Sequence, residues 1–227
     1  MQRRKFTSGL ITVGGLWALA ARAADITESD AALGVRAALE RGAVSAVGLL
    51  GRNGGFLNNP KVRIELPGYL NEAAKVLKYT GQQRRVDELV TAMNRAAEAA
   101  VPEAKALLVN AVKSMSVEDG RQILTGGDNS ATQFFANKTR APLSVKFLPI
   151  VTRATEKVSL ADKYNKVAGQ VASLGLVSKD EANIQSYITG KALDGLYLMI
   201  GEEERKIRQD PIGTGSAILK KVFGSLK

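Results

Sequence analysis

Arg85-Val86-Asp87-Glu88-Leu89-Val90-Thr91-Ala92-Met93-Asn94-Arg95-Ala96-Ala97-Glu98-Ala99-Ala100 is the stretch that decides the fold class. Val86, Leu89, Val90, Met93, Ala97 and Ala100 recur at three- and four-residue spacing, which puts them on one face of an α-helix. Pro102 comes next, and proline suits the first turn of a helix rather than its interior. Leu107, Leu108, Ala111, Val112 and Met115 then continue the apolar face, so the helix restarts or kinks at the proline.

The same grammar extends both ways. Thr27-Glu28-Ser29-Asp30 opens a helix whose Leu33, Val35, Leu39, Val44, Val47 and Leu50 run on to Gly51. Gly51 to Gly55 reads as a loop and Asn58-Asn59-Pro60 as a turn. Lys61 to Leu66 alternates polar and apolar like a strand, but has no partner strand, so we expect an extended connector laid across helices. A helix is expected from about Gly68 to Thr80. Ser116 to Asp119 looks like a helix cap, and Thr125-Gly126-Gly127-Asp128 ends one short helix and starts another. Pro142 is expected at a helix start, and Pro149 is expected either to kink the helix or to begin a new segment. Ser159 to Asp162 and Ser178 to Glu181 are capping-box patterns. A long helix is expected from about Ile188 to Gln209, and a last short one from Ser216 to Phe223. The fold class is all-α, a bundle-like domain over residues 24–227.

The first 23 residues have a different grammar. Met1-Gln2-Arg3-Arg4-Lys5 is a positive n-region, Leu10 to Ala21 is apolar, and Ala21-Arg22-Ala23 is a small-x-small cleavage site. That apolar run covers 12 residues where a spanning helix takes about 20, so a removable signal peptide is expected and no transmembrane span. Arg3-Arg4-Lys5-Phe6 resembles the twin-arginine export motif, and the general secretory route is the alternative. The expected compartment is the periplasm. Removing Arg3, Arg4, Lys5 and Arg22 takes the net charge from +10 to +6. Outside the cytoplasm, a basic chain points to anionic lipid, lipopolysaccharide, cell-wall polymer or a periplasmic protein, and away from nucleic acid. Ordinary solubility charge is the plainer explanation.

The chain has no histidine and no cysteine. This removes Ser-His-Asp and Cys-His catalysis, histidine acid–base chemistry, zinc sites of the usual ligand set, and disulfides. No cofactor or metal site is assigned; carboxylate chemistry, a Lys or Tyr base, or an oxygen-ligand metal stay open.

Four constellations are candidates for function. Asn94 and Glu98 share a helix face beside Arg95, with Asn94 half buried at the edge of the apolar stripe. Facing Arg121 or Lys138 they would make a ligand site; otherwise they tie helices together. Thr125 to Ser130 is a phosphate-loop-like turn, although Asp128 would repel an anion and Asp128 or Asn129 reads equally as a helix cap. Asp194 precedes Glu202-Glu203-Glu204, and Glu203 or Glu204 falls in the gap between Ile200 and Ile207, where burial would raise its pKa. The competing reading pairs Glu202 with Lys206 and Glu204 with Arg208 on a solvated face. Finally, Leu219 and Phe223 with Lys220 and Lys221 form a basic amphipathic segment, either a membrane-surface helix or a core cover.

Gly55-Phe56-Leu57-Asn58-Asn59-Pro60, Met93-Asn94-Arg95-Ala96-Ala97-Glu98, Leu124-Thr125-Gly126-Gly127-Asp128, Lys191-Ala192-Leu193-Asp194-Gly195-Leu196 and Glu203-Glu204-Arg205-Lys206-Ile207-Arg208 together resemble a bacterial family of exported proteins, the domain of unknown function 4197 (DUF4197). The resemblance runs from about Ile26 to Gly224 and implies an exported helical domain without assigning it an activity. Two functions are therefore expected in competition. One is a non-enzymatic binding or interaction module for an anionic envelope component or partner protein. The other is a carboxylate-dependent hydrolase or lyase built on Asp128, Asp194 and Glu203 or Glu204.

Overall fold

The computed structural model describes residues 28–68, 79, 81, 83–156, 162, 164–165 and 183–210. The signal segment, most of the expected 68–80 helix, the capping boxes begun by Ser159 and Ser178, and the 216–227 segment with Leu219, Lys220, Lys221 and Phe223 lie outside the described residues.

Apolar periodicity becomes burial helix by helix. Helix α1 spans Glu28–Leu50, α2 Gln83–Ala100, α3 Ala104–Lys113, α4 Val117–Thr125, α5 Ser130–Thr155 and α6 Ile184–Gln209. The α2 stripe is buried as its spacing requires, and Val101–Glu103 forms a 3₁₀ turn at Pro102 that joins α2 to α3. Ser116 caps α4 by a capping box: its hydroxyl accepts from Asp119 N–H while the Asp119 carboxylate accepts from Ser116 N–H. The described chain is helical and contains no strand, so the fold is all-α.

Several expectations shift. Pro142 and Pro149 both lie inside an unbroken α5. They are two turns apart and both exposed, on the side away from the buried Phe147 and Val151, so the hydrogen bonds they delete belong to the watery side of the helix. Helix α6 begins four residues before Ile188, at Ile184, because the Asn183 side chain accepts from Ser186 N–H and caps it there. On α1, Leu33 leaves the expected stripe and is exposed.

Helices α5 and α6 pack most extensively on each other, with α2 against α5 and α1 against α6 and α3. One apolar core draws on all six helices and takes in Phe56, Val62 and Ile64 from the connector between α1 and α2. Over the expected segment, Lys61 and Val62 belong to a turn in which Val62 N–H and Arg63 N–H donate to Asn59 C=O, and only Arg63 to Leu66 run without regular structure or a strand partner, as the sequence suggested. The connector's entry is a tight turn in which Gly54 adopts φ of 82°. Phe56 then drops its ring onto α6, where a Cβ at Gly195 would meet Phe56 Cε1 at 2.8 Å. The described residues include no helix long and apolar enough to cross a membrane.

Candidate functional site

Asn94 is fully buried, not half buried. Its amide binds the connector as a strand would: Ile64 N–H donates to Oδ1 at 2.8 Å and Nδ2 donates to Ile64 C=O at 2.9 Å. Nδ2 also reaches Val90 C=O, so the amide is satisfied within the protein. One turn on, Glu98 Oε1 accepts from both Phe56 N–H and Leu57 N–H at 3.0 Å, and Arg95 Nη1 donates to Oε2 at 2.6 Å. Burial pushes the Glu98 carboxyl up, but the Leu57 N–H, the Arg95 guanidinium and the Phe56 N–H outweigh it and hold the group below its ordinary value. Asn94, Arg95 and Glu98 thus face the connector rather than Arg121 or Lys138. An extended segment has its own N–H and C=O groups to satisfy, and these side chains lie nearest to them.

The second buried carboxylate is used in the same way. Glu204 reaches from α6 to the start of α5, accepting from Ala131 N–H at 3.1 Å, Thr132 N–H at 2.9 Å and the Thr132 hydroxyl at 2.9 Å. Arg208, one turn along, donates to it through Nε and Nη2. Nη2 also bonds Ile123 C=O and the Ser130 hydroxyl, joining the end of α4 to the start of α5. The N-cap of α5 is therefore supplied by Glu204 and not by Asp128 or Asn129, since the Asn129 side chain makes no cap hydrogen bond. The positive N-terminus that made Thr125 to Ser130 look like an anion loop holds this chain's own carboxylate. Gly126 is needed for that closure: a Cβ there would meet Gln122 O and Ser130 Cβ, both at 2.6 Å.

The remaining acids separate. Glu204 pairs with Arg208 as expected, but buried rather than on a solvated face. Glu202 binds Lys61 of the connector at 2.7 Å and Arg205 at 2.9 Å, while Lys206 takes Glu203 at 2.6 Å, so the expected Glu202–Lys206 pair is replaced. The connector's approach draws Glu202 towards Lys61, 141 residues away in sequence, while the pairs with Arg205 and Lys206 are local i, i+3 contacts. Asp128 stands exposed on the α4–α5 turn. Asp194 accepts from Arg140 Nη2 at 2.5 Å on the surface between α5 and α6. The Arg140 guanidinium also lies 5.8 Å from the Tyr197 ring centroid, and Tyr197 shares a 2.9 Å hydrogen bond with the Thr139 hydroxyl. Burial raises the Tyr197 pKa, outweighing Thr139 and Arg140.

Three surface grooves surround these contacts. One of about 520 Å³ lies along the α4–α5 turn, lined by Asp119, Asp128, Gln133 and Lys138 among others. A second, about 450 Å³, runs between the connector and α6, with Lys61, Arg63, Tyr187, Lys191 and Asp194 on its walls. Lys191 Nζ stacks 5.7 Å from the Tyr187 ring centroid. The third, about 510 Å³, separates α5 from α6 and is lined by Asn137, Arg140, Ser144, Ser186, Thr189 and Leu148 among others. Sequence reasoning missed Arg140 and Thr189, because neither stands in a charged run or a capping pattern. Among the described residues, no group of three or more acidic side chains is placed to hold a metal ion.

These features define a class: an all-helical protein in which two buried carboxylates, each backed by an arginine one turn away, fasten a connector and a helix start. The chain belongs to the family described as protein of unknown function (DUF4197), whose model matches residues 25–224. No curated protein and no solved structure matches it.

Proposed function

We propose that this is an exported, non-enzymatic binding module of the periplasm, acting on an anionic or amphipathic envelope component or on a partner protein. The leader-like first 23 residues, with their twin-arginine or general secretory signature, support export, and the net charge of +6 on the rest of the chain supports an acidic partner. The observation that carries the reading is how the acidic side chains are used. Glu204 accepts five hydrogen bonds, where a carboxylate has about four lone-pair directions, so none is left for a substrate proton. Glu98 is likewise turned inward to backbone, and Glu203 and Asp194 are ion-paired.

A carboxylate hydrolase or lyase gains less from this arrangement. Its acid and base stand within about 10 Å of each other. Asp194 and Glu204 are ten residues apart on α6, which at 1.5 Å per residue is about 15 Å along the helix. The test is co-sedimentation of the mature chain with anionic vesicles, lipopolysaccharide and peptidoglycan at low and moderate salt, beside a periplasmic pull-down. Retention that falls with salt is expected. Failure to bind any of the three, with no partner recovered, refutes the proposal.

A further inference from the structure

The α5–α6 groove differs from the other two in its charge. Among the described residues, Arg140 is the one ionisable residue that lines it. This arginine is held in place but not used up. A guanidinium has five N–H donors; the bond to Asp194 uses Nη2, and the Tyr197 ring lies 5.8 Å away. The Asp194 pair is open to water on both sides, 47% and 52% exposed, and such pairs hold weakly. An entering anion therefore displaces little when it takes the guanidinium.

The groove floor carries a second, independent sign. Thr189 is 3% exposed and its hydroxyl has no hydrogen-bond partner. Helical threonines in this protein usually bond the carbonyl one turn back, as Thr125, Thr139, Thr152 and Thr155 do. A buried hydroxyl left unmatched costs stability, which a hydrogen-bonding occupant would recover. Ser144 on α5 and Ser186 on α6 add hydroxyls beside it. Further along α5 the lining ends in Leu148, 40% exposed, and just outside the groove, three residues back on the same helix, Val145 is 76% exposed. A polar end whose arginine is held only by the exposed Asp194 pair, beside an exposed apolar step, suits an ionised head joined to a hydrocarbon chain. The volume of about 510 Å³ lies within the ordinary range for small-ligand sites.

We infer that this groove binds an anionic amphiphile, with its carboxylate or phosphate head at Arg140 above Thr189 and its alkyl chain over Leu148 and Val145. The inference rests on the proposed binding role and names its site and ligand class. Calorimetric titration of the mature chain with dodecanoate and dodecyl phosphate, both below their micelle-forming concentrations, tests it against dodecyl maltoside and inorganic phosphate. The two anionic amphiphiles should bind with a stoichiometry near one, and the other two at least about tenfold more weakly. Arg140→Gln should lower the affinity about tenfold or more with the melting temperature nearly unchanged. Thr189→Val should weaken binding while raising the melting temperature of the free protein, because it removes the unmatched hydroxyl. Lys191→Gln, in the groove on the other side of α6, should leave the titration as it was. Equal binding by the wild type and by both groove variants overturns the assignment, as does inorganic phosphate binding as tightly as dodecyl phosphate. If Arg140→Gln is retained on vesicles or lipopolysaccharide as fully as wild type, the groove is wrong while the binding role stands. Absence of titration with every probe, together with absence of retention, refutes both.

Discussion

Replacing Glu98 by glutamine keeps its shape and removes its charge, and the geometry sets the consequence. Oε1 accepts both connector N–H groups, and a glutamine oxygen in the same place still accepts both. What changes is strength. A hydrogen bond to a charged group is worth about 1.5–3 kcal/mol against about 0.5–1.5 for a neutral one, so the two bonds together lose about 2 kcal/mol. The amide nitrogen would also face Arg95, donor against donor, but that arginine is 40% exposed, so the extra loss is at most about 1 kcal/mol. The sum, about 2–3 kcal/mol near neutral pH, lowers the melting temperature of a domain this size by about 5–10 °C.

The pH dependence separates this from any generic defect. The folded carboxyl lies below its ordinary value of about 4.5, so its stabilisation is fully present above that value. It is lost as pH falls through the folded pKa, where Glu98 in wild type becomes neutral like the glutamine. The gap between wild type and Glu98→Gln should therefore be full at pH 7 and shrink to below about 1 kcal/mol in strong acid. Asp119 and Glu202, held low by Ser116 N–H and by Lys61 respectively, titrate in both proteins and cancel in the difference. Urea melts at several pH values measure it directly. A gap that is absent at pH 7, or constant with pH, would refute the account of Glu98 as a charged clamp on the connector.

Other changes test the same architecture. Glu204→Gln should cost about 2–4 kcal/mol, because an NH2 donor replaces one of two oxygens that both accept, leaving either Thr132 N–H and its hydroxyl or Ala131 N–H and Arg208 without an acceptor; amide exchange should rise first at Ala131 and Thr132. Asn94→Ala leaves buried Ile64 N–H and C=O groups without their partners and should destabilise by about 3 kcal/mol or more, seen as a lower urea midpoint. Gly195→Ala pushes a methyl to 2.8 Å from the fully buried Phe56 ring, and overpacking of this kind costs about 1–3 kcal/mol by thermal melt. At the carboxy terminus, serine at both Leu219 and Phe223 should lower the melting temperature by several degrees and leave vesicle binding alone if that segment covers the core. A stable double variant that no longer binds vesicles would identify it as a membrane-surface helix instead.

The sequence by itself determined the all-α class, because burial on a helix repeats every 3.6 residues and that period is local. The stripe through Val86, Leu89, Val90, Met93, Ala97 and Ala100, the Ser116 cap and the break at Gly126-Gly127 were all readable within a dozen residues. The unpaired connector over Lys61 to Leu66 was legible too, since an alternating segment without a partner strand has to lie on something else. The family motifs, from Gly55-Phe56 to Glu204 and Arg208, could be found but not interpreted. Only the tertiary structure decided what those polar residues do. Glu98 meets N–H groups 41 and 42 residues away, and Glu204 meets them 72 and 73 away. A glutamate beside an arginine looks the same in sequence whether water or a backbone lies opposite. Likewise Pro142 and Pro149 look like helix breaks until the structure places their missing hydrogen bonds in water. The grouping of Arg140, Tyr197, Thr139 and Thr189 left no signal, because it exists only where α5 lies against α6.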